Sequence, residues 1–171
     1  VGGNNVAMGY DALLTDTKGS HTVAVGRQAL KVQNFTSATD THNTAVGNNA
    51  GMAVTTGASN TIIGSNAAIA LTTGSENTII GASASTNSVN LVGGIRNVMI
   101  GASVRNNHIN NDHCIGIGYD ITTVGDGNFT FGNGSTDSNI AFGATSITAP
   151  SDERYKEEIA TSTAGPSFIN D

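Results

Sequence analysis

Residue types able to do chemistry are concentrated in a few short stretches. In "NNHINNDHC", His108, Asp112 and His113 carry the nitrogen and oxygen donors of a divalent-metal site. The two histidines lie five positions apart, which on an extended strand puts them on opposite faces, so the stretch reads as a polar loop. "GDGN" (Gly125–Asn128) and "GNGS" (Gly132–Ser135) have the glycines of calcium-loop fragments without clustered acidic ligands, and read as turns. "GIGYD" is followed by no amphipathic helix, as a dinucleotide loop would be. No paired carboxylates and no Ser/His/Asp set point to a substrate enzyme, and neither a metal nor a cofactor is expected. The other stretch is "TAPSDERYKEEI", beginning at Thr148. There Ser151 can cap a helix, Asp152 and Glu153 complement its dipole, and Asp152–Lys156 and Arg154–Glu158 are i,i+4 pairs. A short C-terminal helix is expected.

What must position these residues is an unusual chain. It has 171 residues, with 22 glycines, 20 asparagines, no tryptophan and only eight aromatic residues. Up to Ala149 there are thirteen charged residues and no proline, whereas Ser151–Asp171 has seven charges in twenty-one positions. Ala, Val, Ile and Thr supply most of the bulk, so a core must be thin, layered or completed by other subunits. The net charge of −6 comes without a basic cluster, which argues against nucleic acid. Cys114 alone excludes an internal disulfide framework. No run approaches the roughly 18 apolar residues of a membrane-spanning helix, and no signal peptide opens the chain. Membrane insertion is not expected. The first residue is Val, which suggests a fragment of a longer polypeptide.

An internal repeat dominates. "NNVAMGYDA", "HTVAVGRQA", "NTAVGNNA", "NTIIGSNA", "NTIIGASA", "RNVMIGASV", "HCIGIGYDI", "NFTFGNGS" and "NIAFGATS" align on Gly9, Gly26, Gly47, Gly64, Gly81, Gly101, Gly118, Gly132 and Gly143. The spacings are 17, 21, 17, 17, 20, 17, 14 and 11. An apolar residue precedes every anchor glycine. Asn stands four before it in seven of nine copies, the exceptions being Thr22 and Cys114. Three after it the first five copies have Ala, followed by Val104, Ile121, Ser135 and Ser146.

The stretch from Asn to the apolar residue predicts a strand of about four residues with alternating faces. The glycine then permits a bend that a Cβ would obstruct, and the small residue returns to the interior. "TTG" at Thr55–Gly57 and Thr72–Gly74 marks a second corner. Stacked copies make an all-β solenoid or β-roll with like residues in ladders, where Asn bonds backbone groups of its own turn or the next. The alternative is a sandwich of β-hairpins, which asks for larger core residues. So thin a solenoid buries little per coil. Three chains with the Val/Ile/Phe positions turned to a common axis would remedy that, and a homotrimer is expected.

Extra residues in a solenoid loop out on one face, often the binding one. The longer intervals contain Lys31–Asp40 and Ser85–Gly94. Lys31, Asn34 and Phe35 are accordingly the candidate receptor contacts. The last copies shorten and bring in Phe129, Phe131 and Phe142, which reads as a tapered, tighter end.

"NTAVGNNAG…TTGASNTIIGSNA" resembles the repeats of bacteriophage tail fibres and related virion appendages, and is also similar to the head repeats of trimeric autotransporter adhesins. The likeness covers residues 1–146. "SDERYKEEI" followed by "GPSFIND" resembles the start of the endosialidase-type intramolecular chaperone at the C-termini of tail fibres and tailspikes, with Tyr155 where Leu is usual. This resemblance implies assisted trimer formation followed by self-cleavage of the Pro150–Ser151 bond. Ser151 would be the nucleophile and Lys156 the base that takes its proton. Such a lysine must be neutral, which requires burial or positive neighbours.

Three segments follow: a fibre domain over 1–146, a junction over 147–150, and the beginning of a chaperone over 151–171. The expected function is that of a phage tail-fibre protein, structural and receptor-binding, located in the virion and without substrate turnover. Its expected partners are its own copies, other tail proteins, and a bacterial surface receptor that is either a glycan or an outer-membrane protein. The alternatives are the head of a bacterial cell-surface adhesin and a purely structural virion fibre.

Overall fold

Residues 2–86 and 91–144 are described by a computed structural model. The elements in chain order are β1 (Val6–Met8), β2 (Gly19–Ser20), β3 (Val23–Val25), β4 (Thr39–Asp40), β5 (Thr44–Val46), β6 (Thr61–Ile63), β7 (Thr78–Ile80), β8 (Val98–Ile100), β9 (Ile115–Gly118), β10 (Asn128–Gly132) and β11 (Ser138–Ala141). All described elements are strands. The expected C-terminal helix, the junction and the bond at Pro150–Ser151 lie outside the described residues, as does Lys156.

One nine-stranded sheet runs β1-β3-β5-β6-β7-β8-β9-β10-β11, and β2 pairs with β4 beside it. From β1 to β10 every pairing in the large sheet is parallel. Consecutive parallel strands need a full coil between them, so the chain is a solenoid and the hairpin-sandwich alternative is set aside. Register follows the repeat: Val25, Val46, Ile63, Ile80, Ile100, Ile117 and Phe131 stand in one row across the sheet. The 21- and 20-residue intervals keep this register, and the extra residues of the first are accommodated in the corner around Lys31–Asp40.

The ninth copy departs from the expected pattern. After β10 the chain turns back through Asn133–Asp137, and β11 pairs antiparallel, with Phe129 opposite Ile140. Asn133 Oδ1 accepts the Ser135 and Thr136 N–H groups, and Asp137 Oδ1 accepts that of Gly134. Eleven residues are too few for a coil but enough for a hairpin. Gly143 is therefore no anchor of the stack, and a side chain there would meet open space.

Each coil buries little but matches its neighbours. The strand's central residue points inward, as Ala24, Ala45, Ile62, Ile79 and Met99 do, and all are fully buried. Opposite stand the small residues that follow each anchor, Ala29, Ala50, Ala67 and Ala84, with Leu30, Val54, Leu71 and Leu91 completing the core. Volumes are exchanged across the coil: where the strand residue shrinks to Gly116, Val104 and Ile121 replace Ala. A Cβ on Gly116 would lie 2.9 Å from Val104 Cγ1 and 3.0 Å from Thr123 Cγ2.

A buried asparagine ladder runs through the stack. The Asn43, Asn60, Asn77 and Asn97 amides each donate from Nδ2 to a backbone carbonyl across their own coil, those of Gly57, Gly74, Gly94 and Asn111, at 2.7–2.9 Å. Each Oδ1 accepts the backbone N–H one coil on, from Asn60, Asn77, Asn97 and Cys114 respectively. Within these coils the side chain thus closes its own corner and caps the next coil, as buried polar groups require. The ladder is broken at Thr22, beyond which Asn5 repeats the pattern by donating to the Gly19 carbonyl and accepting the Thr22 N–H, and it stops at Cys114. At Thr22 the gap is bridged by Gln33, which donates to Thr22 Oγ1 and Asp16 Oδ2 and accepts from Asn43 Nδ2. At Cys114 the thiol approaches the Gly125 carbonyl at 3.0 Å.

The bend after each strand has a steric reason. Gly64 has φ +138°, and a Cβ on it would sit 2.6 Å from the carbonyl carbon of Gly81, the anchor of the next coil. Two further corners are left-handed without glycine. The residues two after the anchor and five before it, such as Asn66 and Ser59, have φ near +57° and +59°.

Candidate functional site

The first candidate surface is the outer face of the large sheet. Alternation along three-residue strands turns the residue before each glycine outward. Met8, Val46, Ile63, Ile100 and Ile117 are 36–65% exposed, with Val25, Ile80 and Phe131 half-buried in the same row. A second outward row reads Val6, Val23, Thr44, Thr61, Thr78, Val98, Ile115 and Phe129. The Phe129 and Phe131 rings meet with centroids 5.1 Å apart. Seven strand-to-strand steps of about 4.8 Å make the apolar row about 34 Å long. A continuous stripe of that length is unusual for a surface facing only water.

The second is the corner built by Lys31–Asp40. Phe35 is only 8% exposed, so its ring anchors the insertion and is not offered to a receptor. Gln33 is fully buried in the ladder described above. Lys31 is half-buried, with Nζ 3.1 Å from Asp11 Oδ2. That hydrogen bond is the main reason the Asp11 carboxyl lies below its ordinary value, with Gln28 assisting. Asn34 is exposed and accepts from Thr17 Oγ1, and Thr36, Ser37 and Ala38 form the exposed tip. Of the three candidate receptor contacts, Asn34 is the one freely presented to solvent.

At the same corner stands a group that sequence spacing did not single out. His21 and His42 occupy equivalent left-handed positions in adjacent coils, with φ +60° and +50°. Their rings stack with centroids 5.3 Å apart and planes 21° apart. His21 Nδ1 lies 3.1 Å from Asp40 Oδ1, and His21 Nε2 lies 3.1 Å from Asn4 Nδ2. Among the described residues this is the one place where three such ligands come within reach of one another. The signal in the sequence was the column five before each anchor, which reads Asn4, His21, His42, Ser59, Glu76, Arg96 and His113.

The metal-like stretch singled out by its residue types is dispersed. His113 Nε2 faces Arg96, His108 Nδ1 accepts the Asn110 N–H, and Asp112 Oδ1 accepts that of Ile95. "GDGN" is a turn whose Asp126 carboxylate accepts from Asn111 Nδ2 and the Asp112 N–H. These two bonds, in that order, hold its pKa below the ordinary value. Burial, with Asp126 nearby, pushes the Cys114 thiol up to about 11, so it is protonated and unreactive at neutral pH. No helix among the described residues is long and apolar enough to cross a membrane. No protein-family model, no curated protein and no solved structure matches the chain.

Proposed function

We infer that this chain is a stiff fibre segment of a virion appendage, assembled as three copies side by side, which holds and presents a host-binding surface. The observation that carries the reading is the outward apolar row from Met8 to Phe131. A stack whose interior is mostly Ala, Val, Ile and Leu gains little per coil, and covering this row removes about 25 cal/mol of unfavourable exposure per Å². The exposed tip of the insertion, Asn34 with Thr36 and Ser37, is the surface offered to a bacterial receptor.

The stretch from Ser151 onward acts in assembly under this reading. The Ser151 hydroxyl attacks the Pro150 carbonyl while Lys156 takes its proton and passes it to the Ser151 nitrogen as the peptide C–N bond breaks, and water then hydrolyses the Pro150 ester to a carboxylate and the free Ser151 hydroxyl. This is a single event per chain without substrate turnover. The test is an intact denatured mass of the complete reading frame beside a Ser151→Ala control, with sedimentation to count chains. A trimer ending at Pro150, uncut in the control, supports the reading. An uncut trimer points to an adhesin head or a purely structural fibre, and a monomer removes the fibre reading altogether.

A further inference from the structure

His21 and His42 meet because the coil returns to the same corner, and their backbone is fixed there. The His21 N–H donates to the Gly3 carbonyl at 3.1 Å, and the Thr22 N–H to Asn5 Oδ1 at 2.9 Å. Histidine is among the side chains that tolerate a left-handed corner, which accounts for two stacked rings but not for a carboxylate beside them. The insertion supplies that. Its β4 pairs with β2, Ser20 opposite Asp40, a ladder outside the large sheet. The Asp40 carboxylate is thereby set against His21 Nδ1.

We propose that His21, Asp40 and His42 form a surface site for a divalent transition-metal ion, Zn(II) foremost, with the fourth position open to water. Two imidazoles and one carboxylate are a donor set that Zn(II) accepts, whereas Ca²⁺ and Mg²⁺ call for oxygen. The three ligand atoms lie within 4.8 Å of one another. Tetrahedral zinc with bonds of about 2.0–2.2 Å places its ligand atoms roughly 3.3 Å apart. The His21–Asp40 contact of 3.1 Å is already at that separation. All three residues are exposed, so the remaining approach needs only side-chain rotation.

Asn4 supplies the outer support that ligating imidazoles require. For Nδ1 of His21 to bind the ion, its ring proton must move to Nε2. The Asn4 amide, 3.1 Å from that nitrogen, then turns its oxygen to accept the proton. The site joins three successive coils, through Asn4, His21, and Asp40 with His42. It clamps the coils in which half-buried Asp16 and buried Gln33 stand at the positions that Val54 and Leu71 fill further along.

The test is titration of the tag-free full chain with Zn(II) alone by calorimetry, with Co(II) absorption as a probe of coordination. One ion per chain is expected, with tetrahedral Co(II) bands. His42→Ala and Asp40→Asn should each weaken binding at least tenfold, and Asn4→Ala should weaken it by a smaller factor. A His108→Ala/His113→Ala double variant should leave the isotherm unchanged. Since the substituted side chains are exposed, the variants should keep the parent circular dichroism spectrum, which shows that lost binding is not lost folding. Absence of uptake by the parent chain, or an isotherm that His42→Ala and Asp40→Asn leave unaltered, overturns the site.

Discussion

Asn77 makes four side-chain hydrogen bonds: from Nδ2 to Gly94 O and Asn60 Oδ1, and at Oδ1 from the N–H and Nδ2 of Asn97. Removing it orphans a buried carbonyl and a buried N–H, each costing about 1–3 kcal/mol. Asn77→Ala should therefore lower stability by about 4 kcal/mol, measured by denaturant unfolding. The recurrence of Asn four before each glycine made this role readable from sequence, because identical positions in a stack must bond to one another. Gln33 was not readable in that way. It stands where the next coils place Val54 and Leu71, and only the stacked coils show it filling the gap left by Thr22. The anchor glycines make a sharper contrast. Gly64→Ala meets both a positive φ and the Gly81 carbonyl, and should cost about 4 kcal/mol by strain and overpacking together. Gly143→Ala has φ +86° but open space and should cost about 1 kcal/mol. Equal costs at the two positions would show that the last copy does stack.

Between elements, the repeat specified strand order and register from Gly9 to Gly132 but was silent on where the stack stops. Interval length was the only sign. Fourteen residues still complete a coil between β9 and β10, while eleven produce the β10–β11 hairpin. The insertion was legible as a departure from the period, yet composition could not say which of its side chains turn inward. Phe35→Ala should cost about 3 kcal/mol, as for a buried ring, and Asn34→Ala less than about 0.5 kcal/mol. Comparable costs would place Phe35 outside. The turn after the seventh parallel strand has a pH signature. Asp126 has a folded pKa below its ordinary 3.8, so it binds protons less readily folded than unfolded. Its contribution is complete above the unfolded value and is lost as pH falls through the lower folded one. Acid titration should show Asp126→Asn with a shallower loss of stability below about pH 4 than the parent, and superimposable curves would deny the carboxylate that role.

At the scale of the whole molecule, the outward apolar row can be explained by only one of two balances. If the chain works alone, residues such as Ile63 and Ile100, 38% and 37% exposed, can take a charge at almost no cost, as most surface positions do. If three chains meet along this row, Ile63→Glu puts three carboxylates near one axis, where unpaired buried charge costs several kcal/mol. The monomer's core is unaffected in either case, because Ile62, not Ile63, points inward. On the second balance the parent sediments as a trimer, Ile63→Glu sediments as a monomer at the same concentration, and Thr56→Glu, exposed at the second corner, leaves the association intact. Melting supplies an independent reading of the same balance, since only an associating chain has a midpoint that rises with protein concentration. A parent midpoint that is independent of concentration, together with unchanged sedimentation of Ile63→Glu, would leave the row as ordinary surface. The stability of the stack would then rest on the asparagine ladder and the thin aliphatic core alone.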